Sequence, residues 1–100
     1  MIATLLFGLF IVTMLLGVPI VAGTDGSGIE LIRELEIYRE AGMSAGEALY
    51  TATLAAARLV GADAVTGSIE PGKAADLVLV EGDPSANIGA LRQTRVVMLG

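Results

Sequence analysis

Asp25 is the one side chain in this sequence whose placement suggests chemistry. It follows the apolar run Val18-Pro19-Ile20-Val21-Ala22 and then Gly23-Thr24, which read as a strand after the break at Gly17. A carboxylate at the C-terminal tip of a parallel strand sits where α/β proteins gather their reactive groups. There it can take up a proton and return it. The same position also suits a structural duty, because an aspartate ahead of Gly26-Ser27-Gly28 can cap the turn. Spacing leaves both roles open. Gly23, Gly26 and Gly28 do not make a phosphate loop, since the Gly-Lys-[Ser/Thr] ending and the dinucleotide spacing are missing and Asp25 would repel an anion. Glu34 and Glu36 stand two apart on a helix, so they face different ways and read as solvated charges, Glu36 within reach of Arg39. Arg58 falls near a helix C-terminus, where the dipole favours a cation, and Lys73 reads as a surface turn residue.

What the chain lacks limits what Asp25 can do alone. There is no histidine and no cysteine among the 100 residues. No Ser-His-Asp or Cys-His nucleophile set can be drawn, and disulfides and thiolate metal sites are excluded. The formal net charge is −5, with six Lys and Arg residues strung singly from Arg33 to Arg95. Nucleic acid is therefore not a partner to expect, since phosphate neutralisation needs clustered cations. One hundred residues make one domain at most.

The elements that would position Asp25 follow from the hydrophobic pattern. Residues 1–16 are apolar apart from Thr4 and Thr13, and no charge occurs before Asp25. Three readings stand here: a buried helix over residues 2–16, a membrane segment over residues 1–22, and a signal peptide, which lacks a positive n-region. Location stays open with them, the cytoplasm by default or a membrane through residues 1–22. Ser27 with Glu30 fits a capping box opening a helix over 29–42, with Ile29, Ile32, Leu35 and Tyr38 as its apolar stripe and Gly42 as its stop. Ser44 with Glu47 repeats the signal for a helix over 45–60 with a small-residue face, which Gly61 ends. A short strand is expected at Val65–Ile69, a strand covered on both faces at Asp76–Val80, a turn at Gly82–Ser85, a helical piece at Asn87–Gln93 and a last strand at Thr94–Leu99. Pro71-Gly72 is a type II turn signal feeding the middle strand.

Taken in order, these motifs carry a resemblance. Val18–Gly23 with Thr24-Asp25 is followed by Glu34-Leu35-Glu36, Glu40-Ala41-Gly42-Met43-Ser44, Glu47-Ala48-Leu49 and Ala52-Thr53-Leu54-Ala55-Ala56-Ala57-Arg58-Leu59. Then come Gly67-Ser68-Ile69-Glu70-Pro71-Gly72-Lys73-Ala74-Ala75-Asp76-Leu77 and Gly82-Asp83-Pro84. From about Leu16 to Gly100 the chain resembles the C-terminal end of a metal-dependent amidohydrolase of the imidazolonepropionase-like and prolidase-like kind. The resemblance implies an α/β fold, the C-terminal piece of a (β/α)8 barrel plus strands of a small β-sandwich. Residues 17–62 would be the eighth strand and its following helices, residues 63–100 part of the sandwich, and residues 1–16 a preceding apolar helix. It also implies that Asp25 is the family's aspartate, which ligates a divalent metal, most often zinc, and shuttles a proton during hydrolysis of amide, cyclic amide or dipeptide C–N bonds.

The family's His-x-His, its metal-bridging lysine and its further histidines have no counterpart here. The expectation is a piece of an enzyme that is inactive alone, acts on a small-molecule substrate only when completed, and self-associates or needs a complementing chain. The rival reading is a small non-catalytic protein, membrane-tethered through residues 1–22, that keeps the amidohydrolase-like tail as an interaction module.

Overall fold

The computed structural model describes residues 20–24, 26 and 28–100. The helix expected over 2–16, the membrane and leader readings, and Asp25 and Ser27 lie outside the described residues, apart from the last residues of the 1–22 span. Among the described residues no helix is long and apolar enough to cross a membrane.

Three helices follow one another: α1 (Gly28–Glu40), α2 (Ala45–Ala52) and α3 (Leu54–Leu59). A two-stranded antiparallel sheet then forms from β1 (Leu77–Val80) and β2 (Thr94–Met98), with a 3₁₀ segment, Ile88–Gln93, leading into β2. α1 buries Leu35 and half-buries Ile32 and Tyr38, as its stripe requires, while Ile37 on another face is exposed. Ser44 and Glu47 close the expected capping box reciprocally, each side chain meeting the other's backbone N–H, at 3.1 and 3.3 Å. Two orphan donors at the start of α2 are satisfied in this way.

The helix expected over 45–60 is interrupted. Thr53 adopts φ −124° and ψ −98°, dividing α2 from α3. Thr51 Oγ1 donates to the Ala48 carbonyl at 2.6 Å and Thr53 Oγ1 to that of Leu49 at 2.8 Å. Two β-branched residues bonding back within one turn loosen the i→i−4 ladder.

The principal core lies among the helices and the 3₁₀ segment. Leu35, Met43, Ala45, Ala48 and Ile88 form it, with Ile20, Ala22, Tyr38, Leu49, Ala52 and Leu91 packed around. Ile88 enters because Asn87 caps the 3₁₀ segment, its side chain accepting from Gly89 N at 3.0 Å. Arg92 then ties that segment to α1 through Glu36, at 2.5 Å.

The sheet half departs most from expectation. Residues 65–69 form turns, not a strand. β1 exposes Val78 and Leu79, and every residue of β2 is exposed. A strand is covered on both faces only when layers flank it, and a two-stranded ribbon among the described residues has none. The turn before β1 is as expected. Gly72 takes φ +91° and Lys73 N donates to Glu70 O at 3.2 Å, the geometry a type II turn asks of glycine. The register slips between Leu79 and Val80, pairing Val80 with Thr94 and leaving Arg95 as the extra residue of a bulge. Arg95 uses that freedom to bond Glu81.

Candidate functional site

The segment leading into Asp25 is fixed from two helices. Ile20 and Ala22 pack against the core, which anchors residues 20–24 by their apolar side chains. Ala22 N–H donates to the Thr51 carbonyl of α2 at 2.9 Å. Gly23 N–H donates to Glu34 Oε1 of α1 at 3.1 Å, and the Tyr38 hydroxyl donates to that same oxygen at 2.5 Å. Gly26 N–H donates to Thr24 Oγ1 at 3.1 Å. Residues 20–24, the described part of the strand expected from the sequence, form no strand. A barrel strand is defined by its neighbours, and none lies beside it among the described residues.

Asp25, the single residue singled out for catalysis and metal binding, is outside the described residues. What the structure does give is the frame two residues before it and one after it. Within that frame Glu34 has a role that the sequence reading missed. Its spacing reads as a solvated charge, whereas the residue is half-buried and its Oε1 accepts two hydrogen bonds. The signal was present, since Glu34 and Tyr38 are four apart on one helix face. Burial, and after it the Glu34 carboxylate, push the Tyr38 phenol up from its ordinary value.

The remaining charged groups are mostly engaged in structure. Glu36 pairs with Arg92 rather than with Arg39, and that hydrogen bond holds its carboxyl below the ordinary value. Arg39 instead donates to the Met43 carbonyl at 2.7 Å, closing the α1–α2 connection. Arg33 pairs with Glu40 at 3.1 Å. Lys73 is no free surface residue. Its side chain is 13% exposed and its Nζ meets Glu70 at 2.8 Å and Ser68 at 2.7 Å. Arg58 reaches the Tyr50 hydroxyl at 2.7 Å, its guanidinium 6.0 Å from the ring centre. A shallow depression of about 230 Å³ between α1 and the 3₁₀ segment is lined by Glu36, Arg39, Glu40 and residues 86–89. Its carboxylates already have guanidinium partners.

A metal centre does not fit these residues. No group of three or more His, Cys, Asp or Glu side chains comes together among the described residues. Zinc takes at least three protein ligands, and a chain without histidine or cysteine lacks the imidazole and thiolate donors that zinc sites mostly use.

Three comparisons with known proteins bear on this frame. The pattern of the Amidohydrolase family matches residues 11–100, starting earlier than the Leu16 expected from the motifs. A Xaa-Pro dipeptidase solved with methionine bound in its active site is 37% identical, with a TM-score of 0.78 over 83% of this chain and 21% of its own. A prolidase-assigned protein from Bifidobacterium longum is 38% identical, with a TM-score of 0.78 over 83% of this chain and 22% of its own. A third structure, of an amidohydrolase, is 29% identical with a TM-score of 0.65, over 69% of this chain and 17% of its own. The chain thus spans about a fifth of the length of the solved proteins it matches. A search of curated proteins returned no match. With the family pattern matching residues 11–100, and with two solved relatives 37% and 38% identical over 83% of this chain, the chain belongs to the amidohydrolase family.

Proposed function

We propose that this chain is the Asp25-bearing part of a hydrolase that cleaves C–N bonds in small peptides, Xaa-Pro dipeptides foremost, and that it does not turn over substrate by itself. The observation that carries the reading is the likeness, at 37% and 38% identity, to a Xaa-Pro dipeptidase and a prolidase-assigned protein. Inactivity alone follows from the missing histidines, which leave no general base or imidazole ligand beside Asp25. The metal of the complete family enzyme, zinc by resemblance, takes its other ligands from outside this chain.

The step this chain supplies is proton transfer. Water adds to the amide carbonyl carbon, and the Asp25 carboxylate accepts the proton that the water gives up. As the C–N bond breaks, the carboxyl group returns that proton to the departing nitrogen, giving a free acid and a free amine. A proline nitrogen leaves poorly as an anion, so protonation in step with bond cleavage is where a positioned carboxyl contributes.

The test is a graft. Residues 20–100 replace the matching segment of the Xaa-Pro dipeptidase, and hydrolysis of an Xaa-Pro dipeptide is followed with and without Asp25→Asn. We expect the graft to be active and Asp25→Asn to lose on the order of 10²-fold or more in kcat with an unchanged circular dichroism spectrum. An active graft in which Asp25→Asn costs less than about threefold would overturn the assignment, because a carrier worth so little is outside the range for general acid–base groups.

A further inference from the structure

The geometry points to Glu34 as a positioning residue, whose single oxygen Oε1 sets the backbone of Gly23 and through it the approach of the chain to Asp25. The segment 20–24 has two backbone anchors of different kinds. Ala22 N–H is held at 2.9 Å by a main-chain carbonyl, that of Thr51, which any sequence could supply. Gly23 N–H is held at 3.1 Å by a side chain, Glu34 Oε1. That side chain is itself fixed by the Tyr38 hydroxyl, one turn further along α1, at 2.5 Å on the same oxygen.

Two donors converging on one carboxylate oxygen confine it more than either alone, and bonds to an ionised acceptor are the stronger kind. Tyr38 packs against the core formed by Leu35, Met43, Ala45, Ala48 and Ile88, so the hydroxyl is aimed from a fixed platform. The relay therefore runs from core to Tyr38, from Tyr38 to Glu34, and from Glu34 to Gly23. Asp25 is two residues on. Glycine at position 23 leaves room for the arrangement, since a Cβ built there meets nothing within 4 Å; the constraint on this position comes from the carboxylate and not from packing. In a site where a carboxyl must sit within hydrogen-bond reach of both water and nitrogen, misplacement by an ångström is costly. The consequence for catalysis rests on the proposed role of Asp25, while the clamp itself rests on the described geometry.

Amide hydrogen exchange in the full 100-residue chain tests the clamp, with Ala22 as the internal reference for Gly23. In Glu34→Ala we expect exchange at Gly23 to quicken about tenfold or more and its amide proton to shift upfield, with Ala22 changed less than about threefold. Glu34→Gln keeps an acceptor oxygen and restores Gly23 to within about threefold of the parent. A merely structural role would move Ala22, Gly23 and the buried Ala48 together, and that result overturns the proposal, as does an unchanged Gly23. Should Glu34→Ala fail to fold, Tyr38→Phe removes only the hydroxyl. Selective quickening at Gly23 in that variant supports the relay, and an unchanged Gly23 refutes it. Because the readout is exchange and not hydrolysis, failure of the clamp and failure of the Asp25 reading are told apart.

Discussion

Leu35→Ala tests where the stability of this chain resides. Leu35 is 2% exposed, the only large side chain among the described residues that is so deeply buried. Its neighbours in the core are Met43, Ala45, Ala48 and Ile88, with Ile20, Ala22, Tyr38, Leu49, Ala52 and Leu91 packed around. The substitution deletes three carbons, a transfer loss of about 2.4 kcal/mol at about 0.8 kcal/mol per buried CH₂. The two core alanines cannot move to refill the space, whereas Met43, which is long and unbranched, collapses into part of it. Each roughly 40 Å³ left open adds about 1 kcal/mol, which brings the expected cost to about 3 kcal/mol. Against a domain stability of about 5–15 kcal/mol this is a large fraction. In urea unfolding followed by circular dichroism, with an m-value of about 1–2 kcal/mol/M, the midpoint drops by about 1.5–3 M. Ile37→Ala, on the same helix but at a position 46% exposed, is the control and costs less than about 1 kcal/mol. If Leu35→Ala shifts the midpoint no more than Ile37→Ala does, the core is not where we place it.

Acid should weaken the fold through four carboxylates held below their ordinary values: Glu36 by Arg92, Glu70 by Lys73 and Ser68, Asp76 by Gly100 N–H and Thr66, and Asp83 by Ser85. A folded-state pKa below the unfolded one stabilises above the unfolded value, 4.5 for Glu and 3.8 for Asp, and that contribution is lost as pH falls through the folded value. The stability gap between the parent and Arg92→Gln should therefore shrink as pH falls from 7 to about 2; a gap independent of pH removes Glu36 from the account. Gly67→Ala should cost more than Gly72→Ala. Both sites have positive φ, +95° and +91°, but a Cβ at Gly67 would meet Ala57 Cβ at 2.6 Å, whereas at Gly72 it meets nothing within 4 Å. The excess should be at least about 1 kcal/mol by chemical denaturation, and equal costs would show that α3 does not press on Gly67.

The features legible in the sequence were those set by neighbours along the chain. The Ser44–Glu47 capping box, the stripe of α1, the Pro71-Gly72 turn and the two Val-rich strands each depend on residues within one or two turns, and each stands in the structure. What was missed depends on partners far away or on competition between local options. Glu36 finds Arg92 across 56 positions, a pairing that no window of sequence contains. Glu34 took a backbone N–H eleven residues back, and helical spacing alone only said that it differs in face from Glu36. The break at Thr53 arises because hydroxyls at 51 and 53 offer the carbonyls of α2 a second donor, which a small-residue face conceals. The apolar run of β1 promised two flanking layers, and a strand cannot report by its own residues whether those layers are present. Asp25 was legible only as a carboxylate at a turn; its chemical role came from resemblance.

The two halves of the chain stand in different energetic positions. Among the described residues, the hydrogen bonds that hold the segment before Asp25 come from the helices, Thr51 on α2 and Glu34 with Tyr38 on α1, while the core that receives Ile20 and Ala22 also takes Ile88 and Leu91 from the 3₁₀ segment. The ribbon holds none of these contacts. It exposes Val78, Leu79, Val96, Val97 and Met98; Gly100 N–H on Asp76 ties its two ends together, while Thr66 on Asp76 and Glu81 N–H on the Gln93 carbonyl tie it to the preceding turn and to the 3₁₀ segment. An isolated pair of strands is marginal in water. Its apolar faces stay open among the described residues, and the chain spans about a fifth of the length of its solved relatives. The donors, acceptors and core side chains that hold Ala22 and Gly23 are all on this chain, so the geometry of that segment is written into the same short stretch of sequence.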